Sequence, residues 1–413
     1  MLRASLLWFA LGSALGAQTF VVDALNRPGA SFTDIAAAVA AVPDGAVLLV
    51  RASSYGPFTV AGKGVTILCE PNTVVLDAVT VSGTSGSQRV TLSQLTWPAS
   101  IAASSFALLD IHNCVGPVLL QGLSQPAFHS CSLNSPFGCL VPIGIGVRGC
   151  PQVLLRDSTI LCTASFTDSD VAVEACRIEG EYGLWTNSGS GPLIASRTAL
   201  SLRHGRTQIA GATAIRGGDG ASPSSMAGIG FNAPGISMTD ADLRVLDGNV
   251  TAGQSGGFNN IPSGAIAASG TNNRLRVSPR ATLVPSAIPA NWPPVTGVTS
   301  IMAPMPELTC TGGLLGASIL AVANSEAGDL VVIVLGFPGV PTAVPGIDDE
   351  FWLDAQAYFF HTIGTQAAGA PVAAALAVPN LPYLLGTVVH WQAVAFGPAT
   401  GLQVSNPSAG LVR

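Results

Sequence analysis

The chain has 413 residues, of which 48% are hydrophobic and only 10% charged, and its formal net charge is −6. That balance excludes a nucleic-acid partner, because phosphate recognition needs a basic footprint. No apolar run beyond the N-terminus reaches the ~20 residues that a membrane-spanning helix requires, so no membrane span is expected. The first segment, residues 1–17 (MLRASLLWFALGSALGA), has one cation at Arg3, an apolar run and small residues at its end. It reads as a secretory signal peptide cleaved after Gly16 or Ala17. The protein is therefore expected to be secreted, either extracellular or on the cell surface.

Residues 32–68 follow as FTDIAAAVAAVPDGAVLLVRASSYGPFTVAGKGVTIL. Asp34 or Thr33 can cap a short apolar helix from Ile35 to Val42, and Pro43 stops it. Short strands with Gly and Pro punctuation come next. VTIL (65–68), VTVS (79–82) and VTLSQL (90–95) share a Val-Thr-apolar core. ALLDIH (107–112), PVLL (117–120), QVLL (152–155), VAVEAC (171–176) and PLIAS (192–196) continue the series. Many short strands without intervening helices argue for a solenoid or a sandwich. Arg156, Arg177, Arg197 and Arg216 recur about every 20 residues, near the length of one three-sided coil. About ten such coils fit between Gly45 and Pro285, a rod of ~50 Å. The Gly-rich stretches within 211–273 read as long turns from one corner.

The opening phrase resembles the N-terminal entry of the pectin-lyase-like superfamily, on Phe32 to Val50, Tyr55-Gly56-Pro57-Phe58 and Gly62 to Ile67. This resemblance implies an all-β chain: a right-handed parallel β-helix with an N-terminal capping helix, over residues 18–285. Residues 286–306 are rich in proline and read as a linker. Residues 307–413 carry longer strands (GDLVVIVLGF, FWLDAQAYFF, GTVVHWQAVAF, LQVSNPSAGLV) and read as an antiparallel β-sandwich. Their end resembles the C-terminal sandwich of exported bacterial β-helix proteins, on Pro379, Pro382, Leu385-Gly386, Trp391 to Val394 and Leu402 to Asn406.

The arginine series is the sharpest candidate site. Stacked on one face, Arg156, Arg177, Arg197 and Arg216 would form a strip of guanidiniums for an acidic polysaccharide. The alternative is a solvated ladder of Arg–carboxylate pairs that neutralise each other. Pectate-lyase-like enzymes hold Ca²⁺ with carboxylates and abstract a proton with a basic residue. The resemblance then implies Asp168 and Asp170 for the metal and Arg177 or Arg197 for the base. No lyase signature matches residue by residue, and no Asp pair precedes residue 348. The reading favoured is a monomeric, non-catalytic, carbohydrate-contacting protein with no cofactor. The competing reading is a Ca²⁺-dependent polysaccharide lyase or another polysaccharide-degrading enzyme.

Three smaller signals remain. Eight cysteines suit an oxidising compartment. Cys114, Cys131 and Cys176 recur in similar contexts, as an internal stack would, whereas Cys131, Cys139, Cys150 and Cys162 could instead form disulfides. His112-Asn113-Cys114 and His129-Ser130-Cys131 repeat a unit that could hold a soft metal, against a plain polar surface. Aromatics gather in the sandwich, where core packing competes with a sugar platform at Trp352 or Tyr383. Asp348-Asp349-Glu350 reads as a solvated turn.

Overall fold

The computed structural model describes residues 18–412 apart from 84–87, 98, 100, 130, 132–142, 183, 186–191, 195, 221–231, 255–261, 288–291, 348, 382–383, 385–386 and 399–400. The expected signal peptide, Cys139 and Tyr383 lie outside the described residues.

Each coil visits three parallel sheets in turn. One coil runs through Leu200–Arg203, Arg206–Ala210 and Ala214–Arg216, and the next through Ile236–Thr239, Asp242–Val245 and Asn249–Thr251. Equivalent strands pair in register, Leu200 with Ile236, Thr207 with Leu243 and Ala214 with Asn249. Successive parallel strands joined by crossovers take the right-handed path, and the result is a right-handed parallel β-helix. We call the three faces the open sheet, the docking sheet and the corner sheet, in that order along a coil.

Strand alternation fixes what lies inside. On the docking sheet, Leu48, Ile67, Leu92 and Ile111, then Leu155, Val173, Ile209, Val245 and Val277, occupy one inward column and are buried. Each such side chain contributes roughly 1.5–3 kcal/mol of burial free energy. The outward residues of the open sheet, such as Thr59, Ala61, Ala102 and Ser269, face solvent.

The coil turns its corners with left-handed residues. Gly149, Asp168, His204, Asp240, Gly270 and Gly297 lead from the open to the docking sheet, all with φ between 48° and 88°. Their amides bond across rungs: Asp168 N–H donates to Arg203 O at 2.9 Å and His204 N–H to Thr239 O at 3.1 Å. At the next corner the inner position is small and polar. Cys131 N–H donates to Ser158 Oγ, and Cys176 N–H to Thr213 Oγ1. The recurring cysteines are therefore members of an internal corner stack. Cys114 and Cys176 are free buried thiols there.

The capping helix spans Ile35–Ala41, with Asp34 Oδ2 accepting from Ala37 N–H at 3.2 Å. Lys63, the single lysine, donates its Nζ to Val39 O and Val42 O at 2.9 and 2.7 Å. It satisfies carbonyls that a helix C-terminus leaves open. Its rigid attachment closes the first coil.

Two expectations need correction. PLIAS is not a rung: Pro192–Ile194 pairs antiparallel with Leu184–Trp185 in a hairpin on the third corner. The Pro-rich 286–306 stretch is not a plain linker. Val295–Thr296 and Ser300–Met302 extend the open and docking sheets by a further rung.

Beyond it, Glu307–Cys310, Ser318–Asn324 and Val372–Ala377 form one antiparallel sheet. Leu330–Ala343, Glu350–Thr365, Val388–Gly397, Gly401–Val404 and Ser408–Leu411 form the other. Leu308, Ile319, Val331, Ile333, Trp391 and Ala393 fill the core between them. This sandwich lies on the outer face of the docking sheet. Trp352 and Ala409 pack on Leu154 and Ala172, and Met305 packs on Ala210 and Leu246. Trp352 is 1% exposed, so it is an anchor of the junction and not an exposed sugar platform. Among the described residues no helix is long and apolar enough to cross a membrane.

Candidate functional site

Outward positions of the docking sheet carry unusual chemistry because a second domain covers them. Gln208, Arg244 and Arg276 stand on successive rungs in one column. Their exposures are 4%, 4% and 8%. Buried guanidiniums need partners. Asp349, on the sandwich side, supplies one: Oδ1 accepts from Arg276 at 2.9 Å and Oδ2 pairs with Arg244. Asp349 Oδ2 also accepts from Val404 N–H at 3.3 Å. Beside it Glu350 pairs with Arg206.

These residues, with Asp242, Arg274, Ala343 and Ile347, line a pocket of ≈ 120 Å³ at the junction of the two domains. Four guanidiniums and three carboxylates are among the described residues that line it. Burial brings Arg244 down to about 10 against the attraction of Asp349, so it remains a cation at neutral pH. Besides Arg244 Nη2, which is ion-paired with Asp349, four buried atoms of the lining find no hydrogen-bond partner among the described residues: Arg244 Nε, Arg276 Nε, Gln208 Oε1 and Asp242 Oδ1. Two are donors and two are acceptors.

The arginines singled out by spacing do not form a ladder. Arg156 lies on the docking sheet, in register with Glu174. Arg177 opens a strand of the corner sheet, and Arg216 ends the next strand of that sheet, opposite Glu179. Arg197 lies in the segment between those two strands, its amide donating to Glu181 O at 3.0 Å. The near-constant spacing breaks down because the third corner takes segments of different length. Each of the four is already paired. Arg156 reaches Asp157 at 3.4 Å and Glu174 at 3.7 Å, and donates to Ala409 O. Arg177 meets Glu179 at 2.6 Å, Arg197 meets Glu181 at 3.1 Å and Arg216 meets Asp219 at 2.7 Å. The pairing matches the alternative, but the solvated ladder does not: the four do not stack, and Arg156 is 7% exposed.

Nor do the lyase candidates converge. Asp168 and Asp170 flank the corner that precedes Val171–Glu174, and Arg177 follows that strand. The strand Val171–Glu174 and the corner at Ala175 separate the two aspartates from Arg177. Asp170 Oδ1 accepts from Arg206 N–H at 2.9 Å, and burial raises its pKa. Among the described residues no group of three or more His, Cys, Asp or Glu side chains could hold a metal ion. The two His-x-Cys units split: His112 lies on the outward column of the docking sheet, whereas Cys114 and Cys131 lie in the interior corner stack.

The pocket residues were missed by spacing, yet a signal existed. The phrase Leu-Arg-Val occurs at 243–245 and again at 275–277, and the two copies are the paired rungs. Asp349 was expected in a solvated turn and is instead 3% exposed.

No family model matches the chain, and no curated protein matches it. Three solved structures are similar. One is the pectate lyase Pel9A, at 12% identity over 70% of this chain and 79% of that one, with a TM-score of 0.26. Another is the enzymatically active domain of tailspike protein 2 of bacteriophage CBA120, at 10% identity over 85% and 69%, TM-score 0.27. The third is the Dettilon tailspike protein, at 9% identity over 81% and 86%, TM-score 0.20. None carries an argument about activity; the fold rests on the strand register.

Proposed function

We propose that this is an exported or cell-surface β-helix protein that acts as a rigid scaffold, contacts carbohydrate and does not cleave it. The observation that supports this reading is the covering of the docking sheet. A broad outward face of a parallel β-helix is the natural bed for an extended polymer, and here the sandwich occupies it through Trp352, Asp349 and Ser408. The arginines first considered as bases are held by carboxylates on the chain itself. Carbohydrate contact falls to the uncovered open sheet and to the corner loops, and the protein works as a single chain.

The test is direct. Purified protein is incubated with acidic polysaccharides with and without Ca²⁺, and the ultraviolet absorbance of unsaturated products is followed. No rise is expected. A Ca²⁺-dependent rise that disappears in Arg177→Ala or Arg197→Ala overturns the reading. Glycan arrays test the contact itself, with weak binding expected; binding to no glycan overturns it. N-terminal sequencing of exported material, starting at Ala17 or Gln18, tests the signal peptide.

A further inference from the structure

We infer that the C-terminal end of the solenoid takes one more strand in trans: an extended peptide of a partner protein, apolar on both faces, added as the next rung. This goes beyond the scaffold reading, which leaves the ends of the solenoid unassigned.

The two ends differ. The capping helix Ile35–Ala41 closes the first. At the other, Val295–Thr296 pairs with Ile266 and Ala267, and Ser300–Met302 with Leu275, Arg276 and Val277. Among the described residues no strand pairs with the far edge of either. Ala303 N–H donates back to Val277 O at 3.1 Å. Successive residues of a strand turn their amides to opposite neighbours, so Met302 turns its own N–H and C=O to the open end. An unpaired edge of this kind is a template for strand addition. Met302 also continues the inward column above Val277. Val277 is buried, yet Met302 is 61% exposed.

The sandwich reaches past this end. His390 pairs with Ala409, whose carbonyl accepts from Arg156. Four residues on, Val394 pairs with Val404, whose N–H donates to Asp349, the partner of Arg276. The strand Val388–Gly397 thus advances from the rung of Arg156 to that of Arg276. The next residue on the same face, Phe396, forms one row with Leu330 and Leu402, and all three are exposed. On earlier rungs the outward positions, such as Ala172 and Arg276, are buried beneath the sandwich, whereas on the last rung Ile301 is exposed. The row of Phe396 continues the domain junction over the place of the next rung.

That place selects its occupant. Main-chain groups of an extended peptide answer the open ladder. Its inward side chain lands on Met302, and its outward one beside Ile301 and under Phe396 and Leu402, so both must be apolar. The end of a second solenoid cannot reach the edge, because the sandwich of each copy overhangs it. A single strand can.

The probe is a labelled peptide with the sequence of the last rung itself, residues 295–303 (VTGVTSIMA). It is titrated into the full chain by fluorescence anisotropy, beside a scrambled peptide of the same composition, and amide exchange is followed at Met302. The peptide should bind at least tenfold more tightly than the scramble and slow exchange at Met302 at least tenfold. Met302→Asp and Phe396→Asp, both at exposed positions, should each weaken binding at least tenfold with an unchanged circular-dichroism spectrum. Leu25→Asp, exposed near the opposite end, should leave it within twofold. Equal binding of the scramble, no binding of either peptide, no protection at Met302 or full affinity in Met302→Asp overturns the proposal. Self-association of the chain alone, seen by sedimentation and lost in Met302→Asp, would assign the edge to a second copy and overturns it too.

Discussion

The Ser408 hydroxyl donates to Glu174 Oε2 at 2.6 Å, joining residues 234 positions apart. It ties the last strand of the sandwich to the middle of the β-helix, and it does so in a fully buried setting. Burial raises the Glu174 pKa from 4.5 to about 7, against the opposing pull of Arg156. The folded state therefore keeps a proton that the unfolded chain has released between those two values. Stability from this group is present below pH 4.5 and is lost as pH rises to about 7, by up to about 3 kcal/mol. His390 acts in the other direction: burial lowers it from 6.5 to about 4, so its contribution is present above pH 6.5 and lost on acidification. Unfolding midpoints of Glu174→Gln and the parent, compared from pH 4.5 to 8, separate the two. The variant should gain on the parent up to pH 7 and then hold a constant lead. A constant difference across the range would show that Glu174 stays ionised.

Asp349 is an anion that pairs with both Arg244 and Arg276. Asp349→Ala should cost about 3–5 kcal/mol in urea unfolding, since it leaves two buried guanidiniums short of a partner. Removing all three charges, as Arg244→Met, Arg276→Met and Asp349→Leu together, should recover most of that loss. If the triple variant is no better than the single one, the pair contributes through more than charge balance.

The corner residues give an opposed pair of substitutions. Ala175 sits at φ 51° and Gly211, one rung on, at φ 67°. Ala175→Gly relieves a left-handed alanine and should raise stability by up to about 1 kcal/mol. Gly211→Ala should lower it by more. Its Cβ would stand 2.9 Å from Glu174 Cγ and 3.0 Å from Ala175 N, so strain and the junction suffer together. Thermal melts of the two variants should move in opposite directions.

Leu154 and Ala172 receive Trp352 at the junction. Leu154→Glu puts a charge under that indole and should undock the sandwich without unfolding the β-helix. Limited proteolysis should then cut near 303–306, and scattering should show an elongated particle. A resistant, compact variant would mean that the polar contacts alone hold the domains.

Much of the architecture was legible in the sequence because local rules govern it. The Asp34 cap, the stop at Pro43 and the strand Val79–Ser82 fall where the residues place them. The C-terminal strands were legible for the same reason: long alternating runs bounded by turns. The arginine spacing misled because a coil's length is free at its third corner. Arg177 aligns with Ala214, not with Arg197. Constant register lives in the strands and is invisible to a count of intervening residues. The site was hidden for a different reason. Asp349 looks like a turn acid until a second domain brings it onto two arginines, and nothing near it in the chain announces that meeting. Only the twice-written Leu-Arg-Val carried a trace of it.

The covered column also sets an order of assembly. Arg244 and Arg276 leave the ribosome well before Asp349, so the growing solenoid carries a naked cationic row until its final hundred or so residues arrive. Folding of the sandwich extinguishes that row. A chain truncated or stalled short of residue 349 would keep it, along with the bare apolar seat at Leu154 and Ala172, and would be recognisable as unfinished to any chaperone or protease that reads such surfaces.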